Sequence, residues 1–500
     1  MAEGMERESK FLVSGDFELP TFDGIAASSS SVKLVATYWD TANRRLLRRG
    51  HTLRHRQASD GSEDGWTLKL GVPPDSTDTR GVIDRREITH LGSTARPPVE
   101  LTRLTAGIVG RERLTPVATL ETERRVATLE AEGGASVELS DDRVSAAADG
   151  VPSLEFRQIE IEIKRPGSER LLERVERLLV ERGATRTASS KLETVLGGRF
   201  EPEVVPSPLR PRSSVDALVR FAIASGYDRL LQQDPWVRIG DDEEAVHRAR
   251  VATRRLRSDL KTLEPLLGAS PQRLREELQW LGGLLGTVRD LDVLVGRVEE
   301  LARGLPAADR RAATAITGAL RNERRRRRRE LIEGLDSPRY LDLLDDLANA
   351  ARRPGLRDGV RGRARPAMQR LVRKAWRRTA SAVKKLGDDP ADAELHEIRK
   401  RAKRARYAAE LGTGVFGSPS ERFAKRLAEV QDVLGELQDT VVAEERLRSI
   451  ARSDARLAGE PAFVAGVMAG LERDARDRAR ARWPRSWKSA RKDGLRRWLG

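Results

Sequence analysis

Up to about residue 200, apolar and polar residues alternate in short segments punctuated by Gly, Pro, Asp and Ser. This is the period-two pattern of strands. Trp66-Thr67-Leu68-Lys69-Leu70 and Ser136-Val137-Glu138-Leu139-Ser140 are examples. Residues 168–182 depart from it. There Leu171, Leu172, Val175, Leu178 and Leu179 fall at helical spacing and predict one amphipathic helix. Prolines at 202, 206, 208 and 211 then forbid a helix and predict a stiff linker. Beyond it, helical periodicity rich in Ala, Leu, Arg and Glu runs on. The pattern predicts an α+β, multidomain chain: a strand-built domain over 1–200, a Pro-rich linker over 201–211 and an all-α domain over 212–500.

The helical part repeats itself. His247-x-x-Arg250-x-x-x-Arg254-Arg255-x-Arg257 matches His396-x-x-Arg399-x-x-x-Lys403-Arg404-x-Arg406. Leu285-Gly286-Thr287-Val288-Arg289-Asp290 matches Leu434-Gly435-Glu436-Leu437-Gln438-Asp439, at the same offset of 149 residues. One register kept across two blocks points to two similar helical bundles related by duplication. On a helix, i, i+3, i+7 and i+10 share a stripe. His247, Arg250, Arg254 and Arg257 form one such stripe, and His396, Arg399, Lys403 and Arg406 the other. Leu256, Leu260 and Leu263 mark a separate, core-facing stripe. If the bundles face each other, the two cationic stripes line one basic groove. The run Arg324 to Arg329 instead surrounds its helix, which marks it as a solvated or anion-attracting segment.

In the strand part the polar face is the unusual one. Glu6-x-Glu8-x-Lys10 puts two carboxylates and an ammonium on one side of a strand, and Glu160-x-Glu162-x-Lys164 repeats the arrangement. Opposite the second copy stand Ile159, Ile161 and Ile163, so that strand already has an apolar face to bury. Arg54 with Arg56, Thr67 with Lys69, Arg85 with Glu87, and Glu138 with Ser140 and Asp142 show the same inversion. Many strands with one ionisable face predict a closed barrel with a charged interior, and buried charges need partners. Carboxylates on a divalent metal and Lys and Arg on an anion satisfy that need together, as a metal-bound triphosphate would. His51 and His55 have the opposite parity to Arg54 and Arg56 and read as outward.

Composition narrows the partners. The 500 residues include no cysteine, so a metal here is held by oxygen or imidazole, and carboxylates suit Mg²⁺ or Mn²⁺. The net charge of +16 is unevenly placed: 62 Lys/Arg against 43 Asp/Glu over 211–500, and 31 against 34 before that. A basic half implies a polyanionic partner. Aromatics make up 4% of the chain, too few for a base-stacking platform, which disfavours nucleic acid. The first residues do not resemble a secretory signal, and no apolar run approaches the ~18–20 residues of a membrane span. The expectation is a cytoplasmic protein without membrane insertion.

These motifs carry two resemblances. Glu6-x-Glu8-x-Lys10, Leu53-Arg54-His55-Arg56, Trp66-Thr67-Leu68-Lys69, Arg85-Arg86-Glu87, Asp142 and Glu160-x-Glu162-x-Lys164 resemble the CYTH family of triphosphate tunnel metalloenzymes, as does Tyr38-Trp39-Asp40-Thr41. The resemblance covers about residues 1–200. It implies an antiparallel eight-stranded β tunnel barrel. The family includes inorganic and thiamine triphosphatases, class IV adenylyl cyclases and RNA triphosphatases. Carried over, Glu6, Glu8, Asp142, Glu160 and Glu162 would hold metal. Arg54, Arg56, Lys69, Arg85, Glu87, Arg124, Lys164 and Lys191 would bind substrate, with Arg125 as the alternative to Arg124. Glu6, Glu8 and Lys10 would be catalytic. Thr194 departs from the family, which often has an aromatic near there.

Residues 212–500 resemble the CHAD domain, through both histidine helices and both Leu-Gly blocks. That implies two duplicated four-helix bundles with a basic polyphosphate channel, lined here by the two stripes headed by His247 and His396. Together the resemblances imply Mg²⁺- or Mn²⁺-dependent hydrolysis of inorganic triphosphate beside polyphosphate binding. The alternative is a non-catalytic module that binds polyphosphate and associates with polyphosphate granules. An adaptor on nucleic acid is a third reading, which the few aromatics disfavour.

Overall fold

Strands that bury one face need something to bury it against, and the N-terminal part solves this on the outside of its sheet. In the computed structural model the described residues are 2–22, 26–71, 83–92, 95–131, 133–148, 151–198, 200–268, 271–453 and 457–500. The side chains of residues 2–7, 26–27, 83–84, 151–152 and 453 stand outside that description. The chain divides into two units, Met1–Glu203 and Val204–Gly500.

Unit one holds β1 (Ala2–Val13), β2 (Ala26–Asp40), β3 (Thr52–Ala58), β4 (Gly65–Gly71), β5 (Ile83–His90), β6 (Thr115–Glu130), β7 (Ser136–Ala148), β8 (Val151–Ile163) and β9 (Thr185–Thr187). Four short or medium helices accompany them: α1 (Val99–Leu104), α2 (Ala106–Val109), α3 (Glu169–Glu181) and α4 (Lys191–Val195). The sheet is antiparallel in the order β5-β4-β3-β2-β6-β7-β8-β1-β9, with β5 also pairing with β1. This bears out the antiparallel sheet of the expected tunnel and corrects its count of eight strands. Among the described residues there are nine strands, β9 is an edge, and the β5–β1 link uses only Ala2–Glu8 of β1.

The apolar sides of β1, β6, β7 and β8 supply Phe11, Leu129, Val137, Leu139, Ile159 and Ile161, which pack with Leu171, Leu172, Val175 and Leu179 of α3. The helix expected over 168–182 is thus the lid of this core, with Leu178 half-buried at its margin. A second cluster joins Leu47, Leu120 and Val144 to Leu192 and Val195 of α4. With apolar faces used outside, the other faces are left to polar side chains.

Residues 201–211 form neither helix nor strand, yet Leu209 is buried against Gly414. A Cβ at Gly414 would lie 2.7 Å from that of Leu209. Unit two contains α5 (Val215–Ile239), α6 (Glu243–Leu263), α7 (Pro271–Arg303), α8 (Ala307–Leu335), α9 (Pro338–Arg352), α10 (Ala364–Lys384), α11 (Asp392–Leu411), α12 (Thr413–Phe416), α13 (Ser418–Ser453) and α14 (Glu460–Ala490). By sequence offset α5, α6, α7 and α8 correspond to α10, α11, α13 and α14, while α9 has no counterpart in the second half. The halves are not separate bundles: Leu291, Val298, Ile316, Leu447, Val464 and Met468, from both, share one core.

Candidate active site and candidate anion groove

Strand register brings the ionisable side chains of unit one together. Glu8 on β1 is opposite Glu162 on β8, which is opposite Glu138 on β7. Lys10, Glu160 and Ser140 form the next row, and Arg124 on β6 faces Asp142 on β7. Cross-strand neighbours of this kind have Cβ atoms about 4.5–5.5 Å apart. They wall a cavity of about 240 Å³. Its lining includes eight cations (Lys10, Arg54, Arg56, Lys69, Arg85, Arg124, Lys164 and Lys191) against six carboxylates (Glu8, Glu63, Glu87, Glu138, Glu160 and Glu162). Tyr38, Thr52, Ser140 and Ser190 complete it.

The charges are interlocked. Lys10 Nζ lies 2.9 Å from Glu8 Oε1 and 3.0 Å from Glu160 Oε1. Lys191 Nζ lies 2.7 Å from Glu160 Oε1 and 2.9 Å from Asp142 Oδ2. Arg124 donates to both oxygens of Asp142 at 2.8 Å. Burial works to raise the Glu160 pKa, but Lys10, Lys191 and Arg124 outweigh it and hold the group well below the usual carboxylate range. Burial works to lower that of Lys10, and Glu160 and Glu8 more than offset it. Arg56 is pushed down to about 9, by burial first and then by Arg54 and Arg124. It touches Glu63, and its Nε has no hydrogen-bond partner.

In unit two the histidine helices meet. Arg254 Nε on α6 donates to Tyr407 Oη on α11 at 3.3 Å, and Arg255 Nη1 pairs with Glu410 Oε2 at 2.8 Å. Lys403 lies in the fields of Arg254, Arg399, Arg250 and Arg406, and burial followed by these neighbours lowers it to about 7. In both halves the glycine of the Leu-Gly block lies beside the first arginine of the stripe, at ordinary contact distance. A Cβ at Gly286 would come 3.7 Å from the Arg250 guanidinium, and one at Gly435 3.4 Å from that of Arg399. Asp290 Oδ1 accepts from Arg250 at 2.7 Å, and Asp439, its repeat mate, acts on Arg399. Each histidine likewise stands near the mate of the other's neighbour: His247 near Arg289, His396 near Gln438. Burial, foremost, lowers the pKa of both.

Residues 4–194 match the CYTH domain and residues 221–448 the CHAD domain. The chain belongs to the CYTH–CHAD proteins. An uncharacterised protein of Mycobacterium tuberculosis is 33% identical to it over 96% of this chain and 95% of its own. The CHAD domain of the plant Ricinus communis is similar at 25% identity and a TM-score of 0.44, over 59% of this chain and 95% of that one. A Hippeastrum protein described as an adenylyl cyclase with a dominant triphosphatase activity is similar at 19% identity and a TM-score of 0.27, over 39% and 98%. The CYTH family includes triphosphatases and adenylyl cyclase-like enzymes, and its tunnel proteins generally depend on a divalent metal.

Most residues singled out in the CYTH sequence line the cavity. Asp142 does not: it is fully buried behind the wall, gripping Arg124 and Lys191. Arg124 faces in, whereas Arg125 is exposed. Glu6 pairs with Arg85 through the backbone, but its side chain lies outside the described residues. His51 is buried outside the cavity, its Nδ1 accepting from the Gly71 N–H at 3.0 Å, and His55 leans on Trp66. Sequence reasoning put Glu138 and Ser140 on the ionisable face of β7, and Tyr38 and Ser190 in family-like motifs, without giving them a site role, and it missed Glu63 and Thr52. Lys191 is set by the capping box of α4, where Ser190 Oγ accepts from Glu193 N and Glu193 Oε2 from Ser190 N.

Among the described residues no three Asp, Glu or His groups converge on a ready cation site. The donors are nonetheless all hard oxygens, and buried Glu8 Oε1 has no properly directed hydrogen bond, so the set fits an oxygen-seeking divalent ion. In the CHAD unit, Arg257 leaves the stripe: it is exposed, next to Arg275 and Arg404. The Arg324–Arg329 run is divided. Arg324 pairs with buried Asp292, Arg328 donates to the carbonyls of Val237 and Arg238, and Arg325, Arg326 and Arg329 are exposed.

Proposed function

We propose that the CYTH unit hydrolyses inorganic triphosphate with Mg²⁺ or Mn²⁺, and that the CHAD unit binds polyphosphate along the groove between α6 and α11. The observation that carries this reading is the cavity's charge inventory, eight cations against six carboxylates in a small chain-walled space. Gathering so many cations is unfavourable unless an anion joins them. Arg54, Arg56, Lys69, Arg85 and Arg124 present guanidinium forks and an ammonium to successive phosphoryl groups. Lys10 and Lys191 stand between the carboxylates and that anion and balance charge on both sides. Asp142 fixes the headings of Arg124 and Lys191. Positioning and charge stabilisation are the main demands of phosphoryl transfer. Glu8 and Glu162, with Glu138 and Glu160 beside them and Glu6 on the same strand as Glu8, would hold the metal. When bound, it polarises the phosphoryl group and acidifies a coordinated water.

The test is phosphate release from inorganic triphosphate with each metal, comparing the wild type with Glu8→Gln. Metal-dependent turnover that falls in the variant by about 10–100-fold, the scale for disturbing a metal site, supports the reading. One observation favours a second reading, a polyphosphate-binding module without turnover: the cavity carboxylates already have cationic partners. Absence of turnover with both metals, from folded protein that retains polyphosphate, would select it.

A further inference from the structure

The duplication in the CHAD unit provides its own comparison. In the first half Arg229 on α5 and Arg255 on α6 lie together, and two carboxylates answer them. Glu410 Oε2 is 2.8 Å from Arg255 Nη1, and the fields of both arginines act on fully buried Asp259. At the repeat offset of 149 the arginine pair is preserved as Arg378 on α10 and Arg404 on α11, but the carboxylates are not. Ala408 stands where Asp259 does, and Lys261 stands where Glu410 does. The second half has added charge as well: Ser225, Val251 and Ala252 correspond to Lys374, Lys400 and Arg401.

The consequence is visible as a cleft. Lys261, Lys374, Arg378, Lys400, Arg401 and Arg404 line a cavity of about 360 Å³. Its two acids are already engaged, Glu264 by Lys261 at 2.7 Å and Glu397 by Lys400 at 2.7 Å. Lys374, Arg378 and Arg404 have no acidic partner among the described residues. Apolar wall is supplied by Leu371, Ala375 and Pro265. Lys400, Arg401 and Arg404 lie on the flank of α11 away from Arg399 and Lys403, and Lys374 and Arg378 of α10 and Lys261 of α6 face them, so the cleft is distinct from the polyphosphate groove.

We propose that this cleft is a second ligand site, for a compact anion carrying several phosphoryl groups. Guanidinium forks at Arg378 and Arg404 and ammonium groups at Lys374 and Lys261 receive its phosphoryl oxygens, and those oxygens provide the negative charge that the missing carboxylates provide in the first half. A ligand of this kind neutralises the preserved arginine pair from outside the chain. Its carbon or oxygen frame then rests on Leu371 and Ala375.

The full-length protein is titrated calorimetrically with inositol hexakisphosphate and, separately, with inorganic triphosphate. Wild type is compared with Arg378→Gln/Arg404→Gln and with Lys261→Glu, which restores the acid of the first half. All three side chains are exposed, so both variants keep the fold. The expected result is a binding event weakened at least tenfold by each variant, while binding of long-chain polyphosphate is unchanged. Loss with both probes assigns any compact oligophosphate; loss with inositol hexakisphosphate alone assigns a phosphate ester on a carbon ring. Triphosphate held in the CYTH cavity is untouched by both variants and is not counted. The absence, with either probe, of any binding event that both variants weaken overturns the proposal. So does binding lost only in Arg254→Gln/Lys403→Gln, which would place the ligand in the groove.

Discussion

Tyr38 faces Arg54 across 3.5 Å in the CYTH cavity. Burial works to raise its pKa, but Arg54 and Arg56 outweigh it and bring the phenol down to about 8. A tyrosinate absorbance titration is expected to show one group near pH 8 that is missing in Tyr38→Phe and moves upward when triphosphate occupies the arginines. Because the folded-state value is depressed, its stabilisation is absent below pH 8 and grows towards the ordinary value of 10.0. Lys403 behaves in the opposite sense for ligands. Burial, then Arg254 and Arg399, lower it to about 7, so it loses its charge as pH rises through neutrality. Polyphosphate affinity should therefore fall across that range in the wild type and stay level in Lys403→Arg; identical profiles would count against a groove role. Strand parity made the facing of Glu8, Lys10, Glu160 and Lys164 legible, since side chains alternate by geometry. It did not separate Glu138 from Asp142, which share a face. Position along β7 decides that one opens to the cavity and the other lies under Arg124, and no local pattern encodes that depth. Glu63, in the turn between β3 and β4, has no periodicity to betray it.

Among the elements, α4 shows how a very short helix can hold a site residue. Five residues cannot sustain a helix alone, and its capping box and the burial of Leu192 and Val195 hold it. Ser190→Ala is expected to cost about 1 kcal/mol in urea unfolding. It should also raise the KM for triphosphate by loosening Lys191; a stability loss with unchanged KM would confine Ser190 to capping. Helix α3 was legible because five leucine and valine positions repeat at helical spacing. Strand β9 was not: Thr185-Arg186-Thr187 is three residues long, has no apolar alternation, and exists only through pairing with β1. The proline stretch was read correctly as non-helical. That Leu209 seats on Gly414 depends on a contact two hundred residues away, which no window of sequence contains.

For the whole molecule, charge and cavity divide cleanly between the units. Every residue lining the CYTH cavity falls within Met1–Glu203, while residues 211–500 carry the net +19. A fragment of residues 1–203 is therefore expected to keep triphosphate turnover and lose polyphosphate retention, both measurable on the purified piece. Turnover that vanishes from the folded fragment would show that chemistry needs the helical half. The six carboxylates inside the cavity also change the thermodynamics of entry. A polyanion that meets an open basic surface sets mobile ions free, and affinity drops steeply with salt. In the cavity the counter-ions are tethered to the backbone and cannot diffuse away. Occupancy there draws little on the entropy of released salt and should hold nearly steady across ionic strengths that strip a polyanion from the helices.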